Sequence, residues 1–148
     1  MRAKRWPEAL KFLLKLQHGA PVRRFNWTMT VDPLLDTSPE NYPKWGPTRA
    51  EITPENVGQR LHLRVELQTL WRLPRSNAIA FPIRCYLIKF DELVTQPKWA
   101  RRLHRVVRDI HPDLAAYKGF LRNRDIMTDY LAQYDDGAPT SPGWWPDE

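Results

Sequence analysis

Residues 60–73 read RLHLRVELQTLWRL. Leu61, Leu63, Val65 and Leu67 recur at every second position, and His62, Arg64, Glu66 and Gln68 fill the positions between. A period of two is that of a β-strand, whose side chains point alternately to opposite faces. The stretch therefore predicts a strand with one apolar and one polar face. The polar row suits a carboxylate-bearing ligand or a buried hydrogen-bonded network, and a solvated sheet face accounts for it equally well.

Working outward, Pro74-Arg75-Ser76-Asn77 supplies turn chemistry, and AIAFPIRCYLIKF (78–90) follows with β-branched and aromatic residues. A hairpin is the simplest connection, with Pro82 placing an edge or a bulge in the second element. Upstream, RRFNWTMTV (23–31) alternates Phe25, Trp27, Met29 and Val31 with Arg24, Asn26, Thr28 and Thr30, which predicts another strand. Between these strands Pro33, Pro39, Pro43, Pro47 and Pro54 interrupt both ladder and helix, so 32–56 reads as a long loop.

The flanks turn helical. WPEALKFLLKLQ (6–17) sets Leu10, Leu13, Leu14 and Leu16 near one face, with Pro7 in the first turn and Gly19 as a stop. Asp91 is positioned to cap DELVT, and KWARRLHRVVRDI (98–110) places Trp99, Leu103, Val106, Val107 and Ile110 on a stripe opposed by arginines, ending at Pro112. A last helix is expected over 124–134, burying Ile126, Met127, Tyr130 and Leu131, before a disordered tail at 135–148. The expected class is α+β, a partly antiparallel sheet with flanking helices, in one domain over 1–134.

The 148 residues carry 14 prolines, 7 tryptophans and a net charge of +6, which favours many short elements and acidic partners over a helix bundle. No apolar stretch approaches the roughly 20 residues that cross a bilayer, so no membrane association is expected. The single cysteine, Cys85, gives no disulfide framework, fits a reducing, cytoplasmic setting, and in an apolar strand pattern reads as core. His18, His62, His104 and His111 show no HxxxH or HExxH spacing, so no metal site is expected from them. There is no glycine-rich phosphate loop and no GxSxG elbow. The arginines of 98–108 interleave with an apolar stripe, so they read as a solvated outer face, and nucleic acid is not the expected partner.

Taken in order, Arg24-Phe-Asn-Trp27, Asp32-Pro33, Leu63 to Arg75, Phe81-Pro-Ile-Arg84 and Ala116-Tyr-Lys-Gly119 resemble the haem-dependent oxidative N-demethylase alpha-subunit family. Its pattern looks like RxNW, LRVERQTLRRLP, FTIRT and YKG, and the likeness spans about 6–134. Leu67 and Trp71 stand where the family has arginines, which weakens the anion-binding expectation at that face. Members are about twice this length, so the chain reads as a C-terminal part, a truncated relative of the whole.

The resemblance implies a PAS-like haem domain, haem b as cofactor, a small secondary amine as substrate, and a flavin and iron–sulfur reductase as partner. Carried over by position, Arg64, Gln68, Arg75, Arg84, Asn26, Tyr117 and Lys118 are the expected cofactor-binding residues, with Glu66 as the catalytic carboxylate. The arginines would meet haem propionates, and Glu66 would balance them or hold a cationic amine. No histidine lies in a matched motif, so no axial ligand carries over. The competing readings are a basic interaction module and a non-catalytic relative that keeps a small-molecule pocket.

Overall fold

A computed structural model describes residues 6–140. The chain runs through α1 (Trp6–Lys15), β1 (Val22–Val31), α2 (Tyr42–Trp45), α3 (Val57–Arg60), β2 (Leu61–Arg72), β3 (Ile79–Ala80) and β4 (Ile83–Lys89), then α4 (Phe90–Leu93), α5 (Pro97–Asp109), α6 (Pro112–Tyr117) and α7 (Arg124–Ala132). β2 is the central strand, paired with β1, with β3 and with β4. The expected α+β class holds: helices flank an open antiparallel sheet.

The strand pairings follow from the sequence. β2 and β3 are antiparallel, with Trp71 opposite Ala80 and Arg72 opposite Ile79. The turn between them closes through Leu73 N to Ala78 O at 2.8 Å, and Asn77 takes the left-handed conformation at φ 56°. Phe81-Pro82 separates β3 from β4, as a proline lacking a ladder donor requires. In β1, Arg24 bonds Gln68, Asn26 bonds Glu66, and Asp32 N bonds Arg60 O. As one strand advances, its partner recedes, so β1 and β2 are also antiparallel.

The chain groups into two compact units, 1–27 with 65–86 and 28–64 with 87–148. In the first, Arg72 is the joint between helix and hairpin. Its Nε donates to Leu16 O at 2.7 Å and its Nη2 to Leu13 O at 2.8 Å, while Nη1 donates to Asn77 O at 3.0 Å. The last carbonyls of α1 have no intrahelical donors, and a guanidinium there satisfies them and complements the negative end of the helix dipole. Of the apolar face expected for this segment, Leu16, just past α1, is buried but Leu10 and Leu14 are exposed, so only part of that face is covered.

The second unit holds most of the core: Val57, Leu61, Phe90, Leu93, Ala100, Leu103, Val107, Phe120, Met127 and Leu131 are buried. α5 packs on α7 through Ala100, Leu103, His104 and Val107, an i, i+3, i+4, i+7 stripe. Trp99 and Val106, expected on that stripe, are exposed because it lies one position further round. Arg124 at the start of α7 donates from Nε to Val107 O at 3.1 Å and from Nη2 to Arg108 O, closing the C-terminus of α5.

Three local expectations change. The proline-rich segment is not a plain loop: Pro39 and Pro47 open the 3-10 turns Pro39–Asn41 and Pro47–Glu51, and Pro43 sits in the first turn of α2. A proline is compatible with a first turn, where its missing N–H is not needed. Asp91 is not a cap, since α4 starts after Lys89; its Oδ1 instead accepts the Tyr130 hydroxyl at 2.8 Å. Asp135 and Asp136, expected in the tail, are tied to α5 by Arg105 and Arg101. The rest of the expected tail, from 141 onward, lies outside the described residues.

Candidate functional site

The polar row of β2 faces inward. Gln68 is 5% exposed and Arg64 6%, His62 is also buried, and Glu66 is half-buried, whereas Leu63, Val65 and Leu67 on the apolar row are only half-buried. The row is therefore a hydrogen-bonded network, one of the readings its alternation allowed.

In the first unit that network centres on Glu66. Arg24 Nε donates to Gln68 Oε1 at 2.6 Å, Gln68 Nε2 donates to Glu66 Oε2 at 2.8 Å, and Asn26 Nδ2 reaches the same oxygen at 3.3 Å. A carboxylate accepts only, and the amides supply the donors it needs. The arginine polarises the amide that grips the carboxylate, so the chain of bonds orients Glu66 from Arg24 inward. Three expected site residues, Asn26, Glu66 and Gln68, are thus brought together, and Arg24, not singled out from sequence, completes them.

Arg75 and Arg84 stand apart from that cluster. Arg75 lies in the exposed turn after β2, and the Arg84 guanidinium sits 5.2 Å from the Tyr86 ring centroid. Neither has a carboxylate partner among the described residues. Apolar surface accompanies them: Phe25 is 71% exposed, and Ile83 and Tyr86 are each 46% exposed. Ile83 and Tyr86 are an odd number of residues apart on one strand and so face opposite sides, which leaves both sides of this part of β4 open. A cleft of about 190 Å³ lined by Phe12, Lys15, Leu16, Gln17, Ala20 and Val22 is smaller than the roughly 300–1,000 Å³ of small-molecule sites.

In the second unit Arg64 donates from Nη1 to Leu34 O at 3.2 Å and Leu35 O at 2.9 Å, pinning the loop that follows β1. His62 Nδ1 lies 3.0 Å from Arg60 O. Arg60 makes a two-pronged pair with Asp32, at 3.1 and 2.7 Å, and holds that carboxyl below its usual range. Lys118 accepts through its carbonyl from the Thr28 hydroxyl at 2.7 Å, and Tyr117 is largely exposed. The YKG turn is therefore fixed by its backbone.

The basic helix is neutralised locally. Arg101 pairs with Asp136, Arg105 with Asp135 and Arg108 with Asp109, at 2.9, 2.6 and 2.7 Å. His104 Nδ1 lies 2.8 Å from Asp135 Oδ2, a contact without sequence warning because the two residues are 31 apart. These pairs occupy three of the helix's four arginines, leaving Arg102 exposed, and so reduce what a phosphate backbone could engage. Among the described residues no three histidine, cysteine, aspartate or glutamate side chains converge on a metal-sized site, and no helix is long and apolar enough to cross a membrane.

Among the described residues the sheet thus presents one oriented carboxylate, Glu66, and two arginines, Arg75 and Arg84, without carboxylate partners. Compared with known families, residues 5–128 match the model described as haem-dependent oxidative N-demethylase, alpha subunit-like, and the chain belongs to that family. Membership carries haem dependence and oxidoreductase character as properties of the family.

Proposed function

We propose that the chain forms part of a cytoplasmic, PAS-like haem domain, with haem b as cofactor, that removes a methyl group oxidatively from a small secondary amine. The observation that carries this reading is the Glu66 carboxylate, half-buried and held at Oε2 by the amides of Gln68 and Asn26. A fixed carboxylate is the natural counter-ion of an alkylammonium, and its charge-assisted hydrogen bond would set the amine in one orientation.

The residues present suit the cofactor in kind. Arg75 and Arg84 offer guanidinium forks to two carboxylates, and Tyr86, on the same face of β4 as Arg84, offers exposed apolar surface to a macrocycle. Arg64 is assigned to holding the loop at Leu34 and Leu35, and Gln68 and Asn26 to orienting Glu66. When bound, haem supplies activation of dioxygen. The overall reaction would consume one dioxygen, two electrons from a flavin and iron–sulfur partner and two protons, and give formaldehyde, the primary amine and water. Glu66 would hold the amine nitrogen and could receive its proton.

Calorimetric titration of the whole chain with dimethylamine, in wild type and Glu66→Gln, tests the assignment. Binding should weaken by about tenfold or more in Glu66→Gln, the scale of a lost charge-assisted bond. Equal amine affinity in both proteins would remove Glu66 from the site.

A further inference from the structure

Arg23, Phe25 and Trp71 have no place in the reading above, and all three lie on one face of the sheet in the first unit. β1 and β2 are antiparallel, and their side-chain bonds, Arg24 to Gln68 and Asn26 to Glu66, put the even-numbered residues of both strands on a common face. Alternation then sends Arg23 and Phe25 to the opposite face, together with Leu67, Thr69 and Trp71. The same register, which also joins Asp32 N to Arg60 O, sets Phe25 beside Leu67 and Arg23 beside Thr69. Trp71 stands two residues beyond Thr69 on β2, so the arginine position lies between two aromatic ones, each roughly 7 Å away along the strand direction.

This face is open at both aromatic positions: Phe25 is 71% exposed and Trp71 37%, and Arg23 is exposed as well. Arg23 has no carboxylate partner among the described residues, and of the unit's two glutamates Glu66 is on the opposite face and Glu8 in the first turn of α1. The first unit holds ten of the chain's 23 lysines and arginines but two of its 17 aspartates and glutamates, so the excess positive charge is concentrated there and favours an acidic counterpart. Aromatic residues and arginine are the common anchors of protein–protein interfaces. A phosphate backbone is met by rows of cations, and β1 and β2 bring one cation to this face. A second copy of the chain would set like charge against like.

We propose that the face carrying Arg23, Phe25 and Trp71 is a docking surface for an acidic protein, with Arg23 receiving a partner carboxylate and the two rings covered by apolar side chains on either side of it. A guanidinium holds a carboxylate in a two-pronged pair, and apolar contacts around the pair exclude the water that would weaken it. Leu67 and Thr69 form the floor between the anchors. The surface uses none of the residues assigned to haem or to the amine and does not depend on that reading.

The test uses a dye-labelled random copolymer of glutamate and tyrosine as the acidic probe, titrated with the whole chain and followed by fluorescence anisotropy. Saturable binding is expected, weakened by about tenfold in Arg23→Glu and in Phe25→Ser, the scale of an interface anchor. Both positions are exposed, so the variants keep the fold. Lys98→Glu reverses an exposed charge in the second unit and should change the affinity by no more than about twofold, since a charge outside the contact is screened by salt. Polyglutamate, which lacks the rings, should bind more weakly than the copolymer. No saturable binding by the folded chain, a Lys98→Glu effect equal to that of Arg23→Glu, polyglutamate bound as tightly as the copolymer, or a DNA duplex bound more tightly through Arg23 and Phe25 would overturn the proposal.

Discussion

Gln68 donates its side-chain amide to Oε2 of Glu66 at 2.8 Å, so two residues on one face of one strand share a hydrogen bond along the strand direction. Because Arg24 bonds the other end of the same amide at 2.6 Å, Gln68 serves as the link between a cation and the carboxylate. Gln68→Leu keeps the volume but leaves Arg24 and Glu66 without their shared partner. Arg24 is exposed and Glu66 half-buried, so both regain water and the cost should be about 0.5–1.5 kcal/mol, the net worth of a hydrogen bond. Urea unfolding checks this, and an unchanged midpoint would contradict the network.

Arg72 ends α1 from 56 residues away. A ten-residue helix is marginal by itself, and it depends here on that guanidinium for its last carbonyls. Arg72→Met should speed amide hydrogen exchange through α1 while leaving α5 and α7 protected, and should cost roughly 1–2 kcal/mol. Uniform protection in both proteins would show that α1 is held by other means.

Gly58 in α3 is pressed against Asp91 and Tyr130: a Cβ there would lie 2.0 Å from Asp91 Oδ1 and 2.7 Å from the Tyr130 hydroxyl oxygen. Gly58→Ala must break the Tyr130 to Asp91 hydrogen bond or shift α3. A loss of about 1–3 kcal/mol is expected, larger than the roughly 1 kcal/mol for Tyr130→Phe, which removes the bond without adding an atom. Thermal unfolding of both variants tests the order; a Gly58→Ala protein as stable as wild type would refute the close approach.

Asp135 carries the pH dependence that is easiest to isolate. Hydrogen bonds from Arg105, then His104, hold its carboxyl well below the ordinary aspartate range. A folded-state pKa depressed below the unfolded value of about 3.9 gives stability that is present above that value and lost as pH falls toward the folded one. Between pH 4 and pH 2 the wild-type urea midpoint should therefore fall more steeply than that of Asp135→Asn. Parallel profiles would mean that the Arg105 and His104 contacts do not persist in solution.

The strand at 61–72 was legible because its alternation is strict, and the hairpin after it because Pro74 to Asn77 has turn chemistry. Which face of that strand is buried was not legible. His62, Arg64 and Gln68 are internal because acceptors and donors arrive from distant chain, at Arg60 O, Leu34 O, Leu35 O and Arg24. The α5 stripe was displaced by one position because His104 is buried by a bond to Asp135, which no hydropathy pattern records. In the segment 32–56 the prolines were correctly seen as breaking long elements, but proline also opens short helical turns, and those turns place Trp45 and Arg49 together. Of the expected site residues, Asn26, Glu66 and Gln68 form one cluster; Arg24 was visible as a polar position in an alternating strand and as the first residue of the RxNW likeness, but neither signal gave it a role beside Gln68.

In the proposed function the chain holds haem through Arg75 and Arg84, which have no carboxylate partner among the described residues. The direct measurement is a haem titration of the whole chain followed at the Soret band, in wild type and in the Arg75→Ala/Arg84→Ala double variant. Saturable binding near one equivalent, weakened by about tenfold or more in the double variant, is predicted, since each charge-assisted bond contributes roughly 1.5–3 kcal/mol. A folded chain whose Soret band shows no saturable change, or a double variant that binds haem as tightly as wild type, would contradict it.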